Sequence, residues 1–433
     1  NGDAGSFAVR LAAENLTGAA AIHTGDFDND GRTDLVAAAE DSNQIVWLRN
    51  GGGQSPAFEP RLVRNGPTPP AGQDFAKAVF AADLDRDGDT DIVFASEQQN
   101  QVGWYENLGR GAAFTEHIIA NDMPHAKSVY AADLDRDGDV DILATAAETG
   151  VVALYENKRG APVTFTTYTV QVGSLGVHSV TAADMDGDGD LDILSAAREA
   201  NSVLLYPNLA SHRTALFNPQ IQYVVGTYRE PRMAAAADMD NDGDLDIVSV
   251  ADEVVAWHRN EGGSPPNFTR VIITQGLSGG RWIHAADIDA DGDQDLFVAD
   301  TLTDRILWYE NQLSAPGAAP GFAERLITNQ AVGVRDVHTA DLNADGRLDL
   351  YSANDSDNTV TWFEQKRGAN VSFERKVVTN AARYVRSAFA ADLNLDGMID
   401  LMSASAEDNL VAWYDNRGGS PLNWIQRVLS TDM

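Results

Sequence analysis

The chain has 433 residues, 65 acidic side chains against 31 basic ones, a formal charge of −34 and no cysteine. That balance argues against nucleic acid as a partner, and the lack of cysteine removes disulfide scaffolds, thiolate metal sites and thiol catalysis. No run of eighteen apolar residues occurs, so no membrane-spanning segment is expected; the start at Asn1, without a signal-peptide pattern, reads as a mature or excised segment.

Taken in chain order, one nine-residue phrase, D-x-[D/N]-x-D-G-x-x-D followed by an apolar run, returns eight times at intervals of 49 to 57 residues. The first loop carries Asp26, Asp28, Asp30 and Asp34, and the second Asp83, Asp85, Asp87 and Asp91. Asp133, Asp135, Asp137 and Asp141 make the third, and Asp184, Asp186, Asp188 and Asp192 the fourth. The fifth has Asp238, Asp240, Asp242 and Asp246, and the sixth Asp287, Asp289, Asp291 and Asp295. In the seventh, Asp341, Asp345 and Asp349 surround Asn343; in the eighth, Asp392, Asp396 and Asp400 surround Asn394. A period near fifty residues belongs to propellers and solenoids and leaves room for four short strands per unit.

Alternate carboxylates on a tightly turning backbone converge on one point. With a main-chain carbonyl at the seventh position and water, they supply the six to eight oxygens that calcium takes, whereas magnesium demands stricter octahedral geometry. The ninth-position aspartate is expected to close each site, and up to eight structural calcium ions are expected. The seventh and eighth loops, with three carboxylates each, are expected to be the weaker sites. Thirty of the 65 acids sit in these loops, and eight divalent ions would bring the charge from −34 to −18. Sites of this kind load at extracellular calcium concentrations, so a secreted or cell-surface location is expected.

The third unit predicts the strands of every unit: Ser128 to Leu134, Asp141 to Ala146, Val151 to Glu156 and Phe165 to Gln171, an antiparallel meander without helical periodicity. The first strand of most units ends in paired alanines, such as Ala81-Ala82 and Ala131-Ala132, which suits blades converging on an axis. The third strand carries Trp47, Trp104, Trp257, Trp308, Trp362 and Trp413 at one position, with Leu154 and Leu205 in the other two units. That regularity predicts inter-blade packing rather than a sugar-stacking series. The fourth-strand pattern occurs nine times if Phe7 to Ala13 and Trp424 to Ser430 both count, so one terminal strand is surplus to an eight-unit ring.

The phrases VFAADLDRDGDTDIVFAS, VYAADLDRDGDVDILATA and NQVGWYENLG resemble bacterial FG-GAP-like, or VCBS, repeats, relatives of the integrin α-subunit propeller, and the likeness runs from about Phe7 to Leu429. It implies a calcium-binding β-propeller in a secreted or surface setting, with roles in adhesion, carbohydrate binding or polysaccharide breakdown. Integrin-type propellers have seven blades and regular FG and GAP tripeptides; this chain has eight loops and lacks the tripeptides at fixed places. The metal positions therefore carry over and the ligand residues do not.

Six residues before each first loop aspartate stand Lys77, Lys127, His178, Arg232, Arg281, Arg335 and Arg386, with Ala20 the one exception. In a closed propeller they form a ring near the channel mouth opposite the metal loops. Two readings stay open: an anion site for an acidic glycan or peptide, or a repeated ion pair with carboxylates of neighbouring blades. Trp282 beside Arg281, Tyr384 beside Arg383, and Tyr228-Arg229-Glu230 break the repeat and are candidate ligand contacts. His23, His284 and His338 occupy a packing slot between blades. The expected whole is one all-β domain over residues 1–433, an eight-bladed calcium-binding propeller of four-stranded blades. It is expected to act as a non-enzymatic, lectin-like binding or adhesion module for carbohydrate or an extracellular protein. A polysaccharide lyase acting on uronate polymers, and a structural subunit assembling through a terminal strand, are the alternatives.

Overall fold

Each aspartate-rich loop hands over to six residues that are all buried, as in Asp91–Ser96, Asp141–Ala146 and Asp192–Ala197. Such a strand has no polar face because both of its faces meet another sheet. Along Asp91–Ser96 the side chains alternate: Ile92 and Phe94 pack towards the preceding unit, Val93 and Ala95 towards the following one. The computed structural model describes residues 16, 18–39, 41–53, 58–65, 76–158, 160, 162–209, 217, 222–263, 266–368, 370–418 and 424–428.

Among the described residues, thirty-two strands form eight four-stranded antiparallel sheets, each built from four consecutive strands. The third blade runs Ala126–Ala132, Asp141–Ala146, Val151–Asn157 and Phe165–Gln171. Its first strand begins two residues earlier than the sequence suggests and stops before Asp133, because the Asp133 carboxylate takes the Gly138 N–H and turns the chain into the loop. First strands touch first strands around the ring, and that of blade 8 (Val385–Ala391) meets that of blade 1 (Ala19–Gly25). Eight blades therefore close on a central axis lined by the alanine-rich strands. Among the described residues no helix is long and apolar enough to cross a membrane.

The core lies between blades rather than within one. The third-strand tryptophans fill these wedges: Trp47 meets Phe114 of the next blade edge-on (6.1 Å), Trp257 meets Phe322 (6.2 Å) and Trp308 meets Phe373 (6.4 Å). Trp413 of blade 8 meets Phe58 of blade 1 at 5.7 Å, so the same contact closes the ring. The tryptophans are core, as their regular spacing predicts. Trp424–Val428 pairs with Leu410–Asn416 as the fourth strand of blade 8. Phe7 to Ala13, the other terminal strand, lies outside the described residues.

A second contact recurs in every blade. The ninth-position aspartate accepts the backbone N–H of the second loop residue on one oxygen and that of the residue ending the third strand on the other. For Asp141 the donors are Leu134 (3.0 Å) and Asn157 (2.8 Å). The Asn157 side-chain amide then donates to Leu84 O of the preceding blade (2.8 Å) and to Val140 O (3.2 Å). Asn50 repeats this across the closure, donating to Leu393 O of blade 8 at 2.6 Å, and Gln365 takes the role in blade 7. Each amide thus rivets its blade to the loop of its neighbour. We expect Asn157→Ala to lower stability by about 2–4 kcal/mol, since it strips donors from two carbonyls, as read from a urea midpoint.

Candidate functional site

Two places carry chemistry, the loops on one face and the channel lining on the other. In the second loop Asp83 accepts the Gly88 N–H (3.2 Å), Asp85 that of Asp87 (3.1 Å) and Asp87 that of Asp89 (2.8 Å). These bonds turn the carboxylates inward. Gly88 (φ +90°) makes the left-handed step that a larger residue resists.

Oxygens of Asp83, Asp85 and Asp91 lie within 4.8 Å of one another, as do those of Asp26, Asp28 and Asp34, of Asp133, Asp135 and Asp141, of Asp184, Asp186 and Asp188, and of Asp238, Asp240 and Asp246. The buried Oδ1 atoms of Asp83, Asp133 and Asp184 have no hydrogen-bond donor, which is the state expected of oxygens meant for a cation. Burial first, and the neighbouring loop carboxylates second, push Asp91 and Asp141 up to about 8 and Asp192 and Asp295 to about 7, and burial and then Asp415 near the end of the third strand push Asp400 to about 7. A divalent ion would return such groups to the ionised form. All-oxygen donors of this kind suit calcium. Each oxygen of the ninth-position aspartate already accepts a backbone N–H and has a lone pair left for an ion.

On the opposite face the predicted basic ring divides. Lys77 (3.5 Å) and Lys127 (3.1 Å) share the buried Glu97. Burial alone would raise the Glu97 pKa, but these two ammonium groups outweigh it and hold the carboxyl below its usual range. His178, Arg232, Arg281, Arg335 and Arg386 instead line one cavity of about 600 Å³, together with Arg198, Trp282, Asp336, His338 and Phe389. Inner-strand residues of blades 1 and 4 to 8 contribute, so the cavity sits on the ring axis. Burial, then Lys127, Arg198 and Arg232, push His178 down to about 4, so it is neutral at pH 7.

Within the cavity Arg198 and Arg232 pair with Glu230 (2.7 and 3.3 Å), and Arg335 pairs with Asp355 (2.5 Å). Tyr384 holds a left-handed backbone (φ +54°), strained for a tyrosine, and lies between two guanidinium groups, those of Arg335 (5.1 Å) and Arg386 (4.7 Å). Arg335 also donates to the Tyr384 hydroxyl (3.0 Å). Arg281 has no hydrogen bond or ion pair to any described residue. Burial, then the charges of Arg335 and Arg232, push it down to about 10.

Of the other sequence candidates, Glu230 and His338 border this site and the rest stay outside it. Tyr228 packs on His258 (5.8 Å) beneath Arg270, and Arg229 reaches Glu253 (3.5 Å). Arg383 pairs with Glu407 (3.3 Å). His23 packs on Phe80 (4.3 Å), and His338 packs on Tyr351 (5.4 Å) and Trp282 (5.1 Å), as inter-blade fillers.

Asp336 is a site residue that sequence reading passes over. Its oxygens accept the N–H groups of Ala353 (2.9 Å) and, in the next blade, Ala388 (3.1 Å), and burial pushes it up to about 7. The signal was available. Asp336 stands at the same repeat position as Trp282, where other units have Ala, Ser or Met.

The chain matches the family model for the FG-GAP-like repeat over residues 26–94, 83–144, 139–195, 238–298, 287–352 and 341–403. No curated protein shows a significant sequence match. Among solved structures, a lectin of Agrocybe aegerita described as specifically recognising non-reducing terminal N-acetylglucosamine is similar at 17% identity. The similarity covers 74% of this chain and 84% of that one, with a TM-score of 0.49. With eight aspartate loops entering eight sheets of one ring, and family matches over most of its length, the chain belongs to the FG-GAP-like repeat family.

Proposed function

We propose that the chain is a secreted or surface binding module that takes an anionic saccharide in the arginine-lined cavity on the ring axis, with calcium in the blade loops as a structural element. The observation that carries this reading is Arg281, a guanidinium in ion-pair contact with no described carboxylate and reached by Asp336 and Asp355 only from farther away, held among four other arginines beside Trp282 and Phe389. A carboxylated or sulfated sugar offers what such a cavity lacks: a planar or multidentate anion for the guanidinium groups, and an apolar ring face for the aromatics. Focused positive charge inside a strongly acidic protein also selects against competing neutral ligands.

An enzyme acting on a uronate polymer would need a base aimed at the sugar. The nearest titratable pair in the cavity, Asp336 and His338 (3.9 Å), is held in the wall, Asp336 by two backbone N–H groups and His338 by Tyr351 and Trp282. This supports binding without turnover. The test is a glycan-array screen with calcium present. Retention of uronate-bearing or sulfated glycans that weakens steeply between low and physiological salt is expected. Retention of neutral glycans alone, or none, would remove the reading, and release of unsaturated uronate products would replace it with a lyase.

A further inference from the structure

The eight loops are not equivalent, and the difference lies outside the nine-residue phrase. One residue before the amide that ends the third strand, five blades carry an acid (Glu106, Glu156, Glu310, Glu364 and Asp415) and blade 4 carries Pro207. Blades 1 and 5 carry Arg49 and Arg259.

Both guanidinium groups reach into the loop of their own blade. Arg259 pairs with Asp240 at 2.6 Å and lies 3.8 Å from Asp242, the third and fifth loop positions. Its remaining edge donates to Gly317 O of the next blade (2.7 Å), so the side chain is fixed from two sides. Asp240 is fully buried under it. Arg49 pairs with Asp28 and lies 3.5 Å from Asp30, the same two positions, and Arg32 of the loop itself adds a second guanidinium on Asp30.

We infer that the loops of blades 1 and 5 are closed by an internal cation, and that the chain takes calcium in the other six loops only. A guanidinium cannot lose its charge at any relevant pH, and it spans two of the carboxylates that the ion would need. Entry of calcium would break both pairs and leave an arginine beside a divalent ion. Aspartate content alone predicts the opposite ranking, because blades 1 and 5 keep four loop aspartates while blades 7 and 8 have three. In blades 7 and 8 the amides of Asn343 and Asn394 sit beside Glu364 (3.5 Å) and Asp415 (3.3 Å). Glu364 pairs with Lys366 and Lys376 and Asp415 with Arg417, and Arg347 reaches Asp345, at one loop position rather than two. Loops 1 and 5 gain their stability from arginine and are expected to keep it after chelation.

This inference rests on the reading of the loops as calcium sites, and counting bound ions separates the two. The full chain would be equilibrated in about 1 mM calcium, where extracellular modules load, and the ions per chain counted by native mass spectrometry. Six are expected in the natural chain, seven in Arg49→Gln or Arg259→Gln, and eight in the double variant. Eight ions in the natural chain, or no gain in the double variant, would overturn the inference while leaving calcium binding intact; no ions in any of them would overturn both. Asp26→Ala with Asp238→Ala provides a second check that leaves the arginines in place. The count stays at six in that variant and drops by one in Asp133→Ala, and a loss of two ions in the former would overturn the assignment.

Discussion

Chelating calcium is expected to lower the thermal unfolding midpoint by about 18 °C. Each loaded site contributes about 2.7 kcal/mol when the ion is present at a hundred times its dissociation constant. Six such sites contribute about 16 kcal/mol, and the unfolding entropy is about 2.1 cal/mol/K per residue, which over the chain sets the size of the shift. The effect also carries a pH signature. In the metal-free protein the ninth-position aspartates have folded pKa values raised well above the unfolded value, to about 8 for Asp91 and Asp141 and about 6 for Asp34, Asp246 and Asp349. A raised folded value means that stability is fully present below about pH 4 and is lost as pH rises through 6 to 8. The chelated protein should therefore melt lower at pH 8 than at pH 5. The loaded protein should not follow it, since the ion replaces the protons, and the gap between the two curves should widen with pH. Superimposed melting curves with and without chelator would refute a structural role for the ion.

How much of this was legible in the chain depends on whether a feature repeats. The strands, the loop carboxylates and the packing role of the tryptophans each recur at fixed offsets, and a repeat averages away the ambiguity of any one copy. The amide rivet also recurs, sixteen residues after the ninth-position aspartate in most blades. It is hard to read because an asparagine at a strand end looks like an ordinary turn residue. Asp336 and Arg49 were hidden differently. Each departs from the repeat at one or two blades, and its meaning depends on which side chain of a neighbouring strand or blade it comes to face.

The basic ring shows the limit most clearly. Its seven members look alike in sequence, yet which acid meets each of them depends on residues outside the first strand, as Glu97 for Lys127 and Glu230 for Arg232 show. In blade 2 the residue just after the second strand is Glu97, which takes Lys77, and in blade 7 it is Asp355, which takes Arg335. In blade 6 it is Thr301, so no acid of its own blade faces Arg281 from there. Whether an arginine of the ring is paired is thus set by side chains that the repeat does not keep fixed.

Arg281→Ala should weaken binding of the anionic ligand by about thirtyfold, the loss of a charge-assisted bond worth about 2 kcal/mol, without lowering the unfolding midpoint. The second half of that expectation discriminates between roles. An arginine with no partner among the described residues, pressed down by burial and by the charges of Arg335, Arg232 and Arg386, costs the folded state, and removing it relieves that cost. Lys127→Ala should behave in the opposite way, lowering the midpoint because the buried Glu97 keeps only one of its two ammonium partners, and leaving the affinity within about twofold because Lys127 does not line the cavity. Paired melting and binding measurements on the two variants decide the matter. If both lose stability and neither loses affinity, the ring is a structural girdle throughout; if they separate as expected, blades 2 and 3 hold the ring together and blades 5 to 8 hold the ligand.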